Sequence, residues 1–172
     1  MNKTAAGYVS DELYSQVTAT FPIICVDVIP FDAKTNRIGI ITRATGKEAG
    51  NLALIGGRIQ KNESIQEAIN RHLVNDLQVN EFTFYSGNTA TRPFYVQQYF
   101  HRDTAENGSD GYDPSKHSIG LNYIINIDET PIAKAEAANF LWINESEVPE
   151  QGAFNQGTVM REAFTFIAKT SS

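Results

Sequence analysis

An apolar stretch, Leu52 to Ile55, runs directly into a glycine pair, Gly56-Gly57, and the clearest helix of the chain follows it. Ile65, Ala68, Ile69, His72, Leu73, Asp76 and Leu77 recur at helical spacing, which predicts a helix over Glu63 to Leu77. This succession constrains the fold more than any other segment. It calls for a short strand, a tight Gly-Gly turn where backbone can approach a ligand closely, and a helix with one buried face. The same helix presents positions 72, 75 and 76 within one turn, with 72 and 76 four apart on one side.

Around this unit the chain reads as mixed strands and helices. Asp11 to Ala19 forms a helix candidate, with Ser10 as N-cap and Leu13 and Val17 on one face. Phe21 to Ile29 is β-branched and apolar and reads as a buried strand, in which the charge of Asp27 is conspicuous. A turn over Phe31 to Asn36 leads to a strand over Arg37 to Arg43, and Ala44 to Asn51 reads as a loop. Further strands are expected at Glu81–Tyr85, Phe94–His101, Ile119–Ile127 and Asn139–Asn144, with a closing helix over Gln156–Lys169. Asp103 to Lys116, rich in Gly, Asp, Asn and Ser, reads as a mobile loop. The pattern predicts an α+β domain or a sandwich, not a doubly wound sheet, over 1–172, with a helical extension over 1–20 and a core over 21–170.

Composition excludes several function classes. Hydrophobic residues make up 41% and charged residues 20%, which suits a folded globular chain. A net charge of -6 argues against a broad basic surface for nucleic acid or anionic lipid. No apolar run is long enough to span a membrane and no signal peptide is evident, so a cytoplasmic protein is expected. The one cysteine, Cys25, lies in an apolar run, makes no intrachain disulfide and reads as a packing residue.

Gly57, Glu63 and Arg71 stand at the spacing of the Nudix box, with Leu73 and Val79 at its aliphatic positions. The stretch Gly56-Gly-Arg-Ile-Gln-Lys-Asn-Glu-Ser-Ile-Gln-Glu-Ala68 resembles the same segment of GDP-mannose mannosyl hydrolases, a Nudix branch with a reduced box. His72, Asn75, Asp76 and Gln78 stand where the Nudix pattern has Glu, Glu, Glu and Gly, so of the three acids Asp76 alone keeps its charge. The likeness covers roughly Phe21 to Ile143, with Asp27, Arg43 and Arg58 at matching places.

This resemblance implies a Nudix fold, an α/β/α sandwich with a mixed central sheet. It implies a magnesium-dependent hydrolase of a nucleoside diphosphate sugar or related derivative, and a homodimer. Arg43 and Arg58 would bind the diphosphate, with Asp27 beside them. Asp76 and the Gly57 carbonyl, with Glu136, would hold one magnesium ion, because the oxygen ligands this hard cation requires are reduced at 72 and 75. Glu63 and Arg71 would pair to fix the loop and helix. Ala137 falls where the branch has its general base, leaving His72 and His117 as substitutes suited to proton transfer near neutral pH. His101 reads as a strand-end surface residue. Tyr95, Tyr99, Tyr112 and Tyr123 read either as base-stacking residues or as core packing. The alternative is a catalytically impaired Nudix domain that binds a nucleotide-like ligand as a sensor or scaffold.

Overall fold

The computed structural model describes residues 9–101 and 111–171. Residues 1–8 of the expected extension and most of the expected loop over 103–116 therefore lie outside the described residues.

Helix α1 (Asp11–Thr20) starts at Ser10, whose hydroxyl oxygen accepts from the Leu13 N–H at 3.3 Å. None of its residues is buried, and Leu13 stays 47% exposed. Strand β1 (Ile23–Asp32) runs further than expected, because Phe31 and Asp32 pair with Ile38 and Arg37 of β2 (Arg37–Arg43). The turn shrinks to four residues. The Asp32 carboxylate closes it by accepting from the Lys34 N–H at 2.9 Å and the Thr35 hydroxyl at 2.6 Å.

The apolar stretch divides into two strands, a correction to the single strand expected there. β3 (Leu52–Ala53) pairs with β2, the chain steps across at Leu54, and β4 (Ile55–Arg58) pairs antiparallel with β1. The glycine pair is thus part of β4 and not a tight turn. A Cβ at Gly56 would run into the Val26 carbonyl oxygen, so glycine is what lets β4 lie against β1.

Helix α2 (Ile65–Leu77) opens with a capping box between Ser64 and Glu67, which leaves Glu63 ahead of the helix. Ala68, Ile69, Leu73 and Leu77 are buried along its inner face. The chain continues through β5 (Thr83–Phe84), β6 (Tyr95–Phe100), β7 (Gly111–Tyr112), β8 (Ser118–Asn126) and β9 (Ala137–Ile143) to α3 (Gly157–Thr170).

The sheet order is β3-β2-β1-β8-β6-β7, with β4 on β1, β5 on β8 and β9 on β2. The β1–β8 pair is parallel, from Ile23 opposite Ser118 to Pro30 opposite Ile125, while most other pairs are antiparallel. Side chains alternate across β1. Val26 and Val28 pack under α2 with Ile55, Tyr123 and Ile125. Ile29 and Phe31 pack with Ile38, Ile40 and Ile124 against Val159, Met160, Ala163 and Ile167 of α3. This is the expected arrangement of helices on both faces of a mixed sheet. Among the described residues, no helix is long and apolar enough to cross a membrane.

Candidate active site

The α3-facing row of β1 turns polar toward its N-terminal end, where Asp27 and Cys25 follow Ile29. Asp27 is paired with Gly56 on one side and Asn122 on the other. It is 7% exposed. Both neighbouring strands leave room for its carboxylate. A Cβ at Gly56 would lie 2.7 Å from Asp27 Oδ1, and a Cβ at Gly120 would lie 2.9 Å from Oδ2. Burial strips hydration from the carboxylate and pushes its pKa up to about 6, against the opposing fields of His72, Lys116 and Arg43. Cys25, two residues earlier, is pushed up to about 12, first by burial and then by the charge of Asp27, so it stays an unreactive thiol.

Cationic side chains lie near this carboxylate: the fields of Arg43 and Lys116 reach it, and Arg58 stands beside its neighbour Cys25. Arg43 ends β2 at a β-bulge that shifts the pairing with β9 between Thr42 and Arg43. Bulges re-aim side chains in this way beside active sites. Its guanidinium lies 5.2 Å from the centre of the Phe154 ring and 3.3 Å from Glu136 Oε2. Phe154 itself sits in the left-handed region at φ 55, a costly conformation for an aromatic residue. Arg58 lies across from Cys25, with its guanidinium 5.1 Å from the ring centre of Tyr14 in α1. Lys116 is held by Asp113, Nζ to Oδ2 at 2.6 Å.

The box fixes the position of this floor. Arg71 donates from Nε to Glu63 Oε1 at 2.6 Å and from Nη2 to Oε2 at 2.8 Å, and Nη2 also donates to the Arg58 carbonyl at 2.9 Å. This fork, together with Gln60 N–H donating to Glu63 at 2.8 Å, ties loop, strand and helix together. It also holds the Glu63 carboxyl below its usual range. Glu67, four residues before Arg71 on α2, does not pair with it: Glu67 accepts from the Ser64 N–H, and Arg71 is taken by Glu63.

His72 lies against Gly57, where a Cβ would approach its Cε1 to 2.8 Å. Its Nδ1 is 3.8 Å from Asp76 Oδ2. The donor set does not fit the multi-ion arrangement of a full box. Asn75 is an exposed amide, the buried Asp76 faces His72, and Glu136 is turned to Arg43. Among the described residues, no group of three or more His, Cys, Asp or Glu side chains is placed to hold a metal ion. For one ion the donors would be Asp76, the Gly57 carbonyl and Glu136, and Glu136 would first have to leave Arg43.

Asp27, Arg43, Arg58 and His72 are thus brought together, whereas His117 is not. His117 stacks on Phe100, ring centres 4.9 Å apart. Phe100 alternates away from Tyr99, the β6 residue that lies beside Asp27. His101 is exposed at the end of β6, and Ala137 is packed in the core beneath α2. Of the tyrosines, Tyr123 is fully buried and Tyr112 is exposed, while Tyr99 borders Asp27 and is 4% exposed.

Sequence reasoning missed Tyr14, Lys116, Asn122 and Gln156. Gln156 is 5% exposed, and its Oε1 accepts from the Leu54 N–H at 2.9 Å, at the residue where the chain leaves one strand for the next. No spacing signal marks these four: Tyr14 meets Arg58 from α1, Gln156 meets Leu54 across 102 residues, and Lys116 and Asn122 reach this face through the β1–β8 register.

Comparison with known proteins places the chain. It belongs to the family described as "Domain of unknown function (DUF4916)", whose model matches residues 4–168. No curated protein matches. Solved structures share the architecture. One, from Jonesia denitrificans, is described as a possible asymmetric diadenosine tetraphosphate hydrolase; it is 21% identical with a TM-score of 0.71, over 88% of this chain and 98% of that one. The Nudix domain of NrtR from Shewanella oneidensis, solved with ADP-ribose, is 14% identical with a TM-score of 0.59, over 92% and 99%. A bifunctional NMN adenylyltransferase/ADP-ribose pyrophosphatase from Francisella tularensis, solved with AMP and a manganese ion, is 15% identical with a TM-score of 0.60, over 94% and 45%. The fold is the Nudix fold.

Proposed function

We propose that this chain hydrolyses a nucleoside diphosphate derivative, such as a nucleotide sugar, at the floor formed by Asp27, Arg43 and Arg58. The observation that carries the reading is the buried Asp27 carboxylate, seated between two glycines with cationic groups around it. Arg43 and Arg58 hold the diphosphate and offset the charge that develops on the leaving phosphate. The attacking water must lose a proton, and Asp27, with a pKa of about 6, accepts it at neutral pH. This assigns to Asp27 the part for which position 137 has no base. His72, set against Gly57 and Asp76, orders the same corner. A single magnesium ion at Asp76, Gly57 and Glu136 belongs to this proposal and would neutralise charge on the diphosphate. The nucleotide ligands of the fold relatives agree with the ligand class.

A second reading, binding without turnover, is favoured by two observations: Arg43 is engaged by Glu136, and Asp76 faces His72. One experiment separates the two. Purified protein is incubated with nucleotide sugars, ADP-ribose and diadenosine tetraphosphate, with magnesium or a chelator, and released nucleotide is measured by chromatography. Hydrolysis that disappears in Asp27→Asn supports the enzyme. Calorimetric binding without release supports the sensor, and neither result removes both readings.

A further inference from the structure

The polar loop that precedes β8 delivers a residue to this floor that no motif identifies. Ser118, Gly120 and Asn122 share the face of Asp27 and Cys25, by the register of β1 on β8. Lys116 lies two residues before Ser118 and continues that row. Its side chain is 22% exposed, and its partner Asp113 is 6% exposed. Asp113 is itself fixed by Ser115, whose N–H donates to Oδ1 at 2.8 Å and whose hydroxyl donates at 2.5 Å. The Asp113 N–H is anchored on the Phe100 carbonyl at 3.0 Å. Burying a lysine costs hydration, and here the loss is compensated by one short ion pair. The ammonium field is felt at Asp27 and Cys25, and Lys116 in turn feels Tyr14, the residue stacked on Arg58.

We infer that Lys116, aimed by Asp113, is a third cation of the diphosphate site and contacts a phosphate oxygen of the bound ligand. The inference rests on the ligand class proposed above. Three cations around one floor suit a ligand with a diphosphate more than a monophosphate, because Arg43 and Lys116 each already face a carboxylate. Asp113 acts as a positioning residue through Lys116 and does not touch the ligand.

The test uses the full chain with ADP and inorganic pyrophosphate as probes, by calorimetry at low and moderate salt. Lys116→Met would leave Asp113 buried and unpaired, so the double variant Lys116→Met/Asp113→Asn is measured beside it and folding is checked by circular dichroism. Removing a charge-assisted contact predicts ADP affinity at least about tenfold weaker in both variants. Lys116→Arg should restore most of it, and the salt dependence should be shallower once Lys116 is neutral. If either variant fails to fold, ADP protection of Lys116 from reductive methylation in the wild-type chain carries the test. Wild-type binding with undiminished affinity in the folded double variant, or no protection, overturns the assignment of Lys116 alone. Failure of the wild-type chain to bind either probe overturns the underlying ligand class, and this assignment with it.

Discussion

Replacing Asp27 by asparagine should stabilise the folded chain at neutral pH while abolishing its proposed chemistry. The pKa of Asp27 rises from 3.8 to about 6 on folding because burial penalises the ionised form. The folded value lies above the unfolded one, so the protonated acid is the form the fold prefers. The contribution to stability is therefore lost as pH rises from near 4 through 6, and the ionised carboxylate destabilises the fold above that window. A shift of about two units, at 1.36 kcal/mol each, amounts to roughly 3 kcal/mol at pH 7. Asparagine fills the same slot between Gly56 and Gly120 without the charge. Urea unfolding in a chelator without nucleotide, followed by the fluorescence of the single tryptophan, Trp142, measures the difference. With a slope of about 2 kcal/mol/M, the midpoint of Asp27→Asn should lie about 1.5 M higher than wild type at pH 7, and the gap should close toward pH 4. A gap that is absent at pH 7, or equal at both pH values, would refute the reasoning.

Three other perturbations probe separate parts of the account. Gln156→Leu leaves the buried Leu54 N–H without its acceptor and should lower unfolding stability by about 1–3 kcal/mol, read by urea denaturation, with ligand affinity little changed. Gln78, at φ 55 where α2 ends, occupies a left-handed position, so Gln78→Gly should raise stability by about 0.5–1 kcal/mol in the same assay. Glu136→Gln releases Arg43 and should tighten ADP binding severalfold by calorimetry in a chelator, while weakening the magnesium dependence of binding; unchanged affinity in the chelator would show that the Arg43–Glu136 pair does not compete with the ligand.

The segment around α2 was legible from sequence because its signals are local: helical spacing, a capping pair and glycines at fixed distances. The boundaries of β2 and the cap at Ser10 were legible for the same reason. The division at Leu54 was not, since it depends on Gln156, 102 residues away in the chain, satisfying a buried backbone donor. The position of Gly56-Gly57 inside a strand was equally hidden, because it follows from what an added Cβ would strike, β1 at Gly56 and the His72 ring at Gly57. At the site, Asp27 announced itself as a charge in an apolar strand. Lys116 and Tyr14 did not, because their places depend on the parallel β1–β8 register and on where α1 comes to rest. His117, chemically suited to proton transfer, is carried by strand alternation to the face away from Asp27, where it stacks on Phe100.

The most direct test of the central claim is a crystal structure of the chain grown with ADP-ribose and magnesium. The account predicts the diphosphate lying between Arg43 and Arg58 over Asp27, with Lys116 on a phosphate oxygen and Glu136 displaced from Arg43. A ligand seated elsewhere, with Asp27 still covered by protein alone and the Arg43–Glu136 pair unbroken, would contradict it.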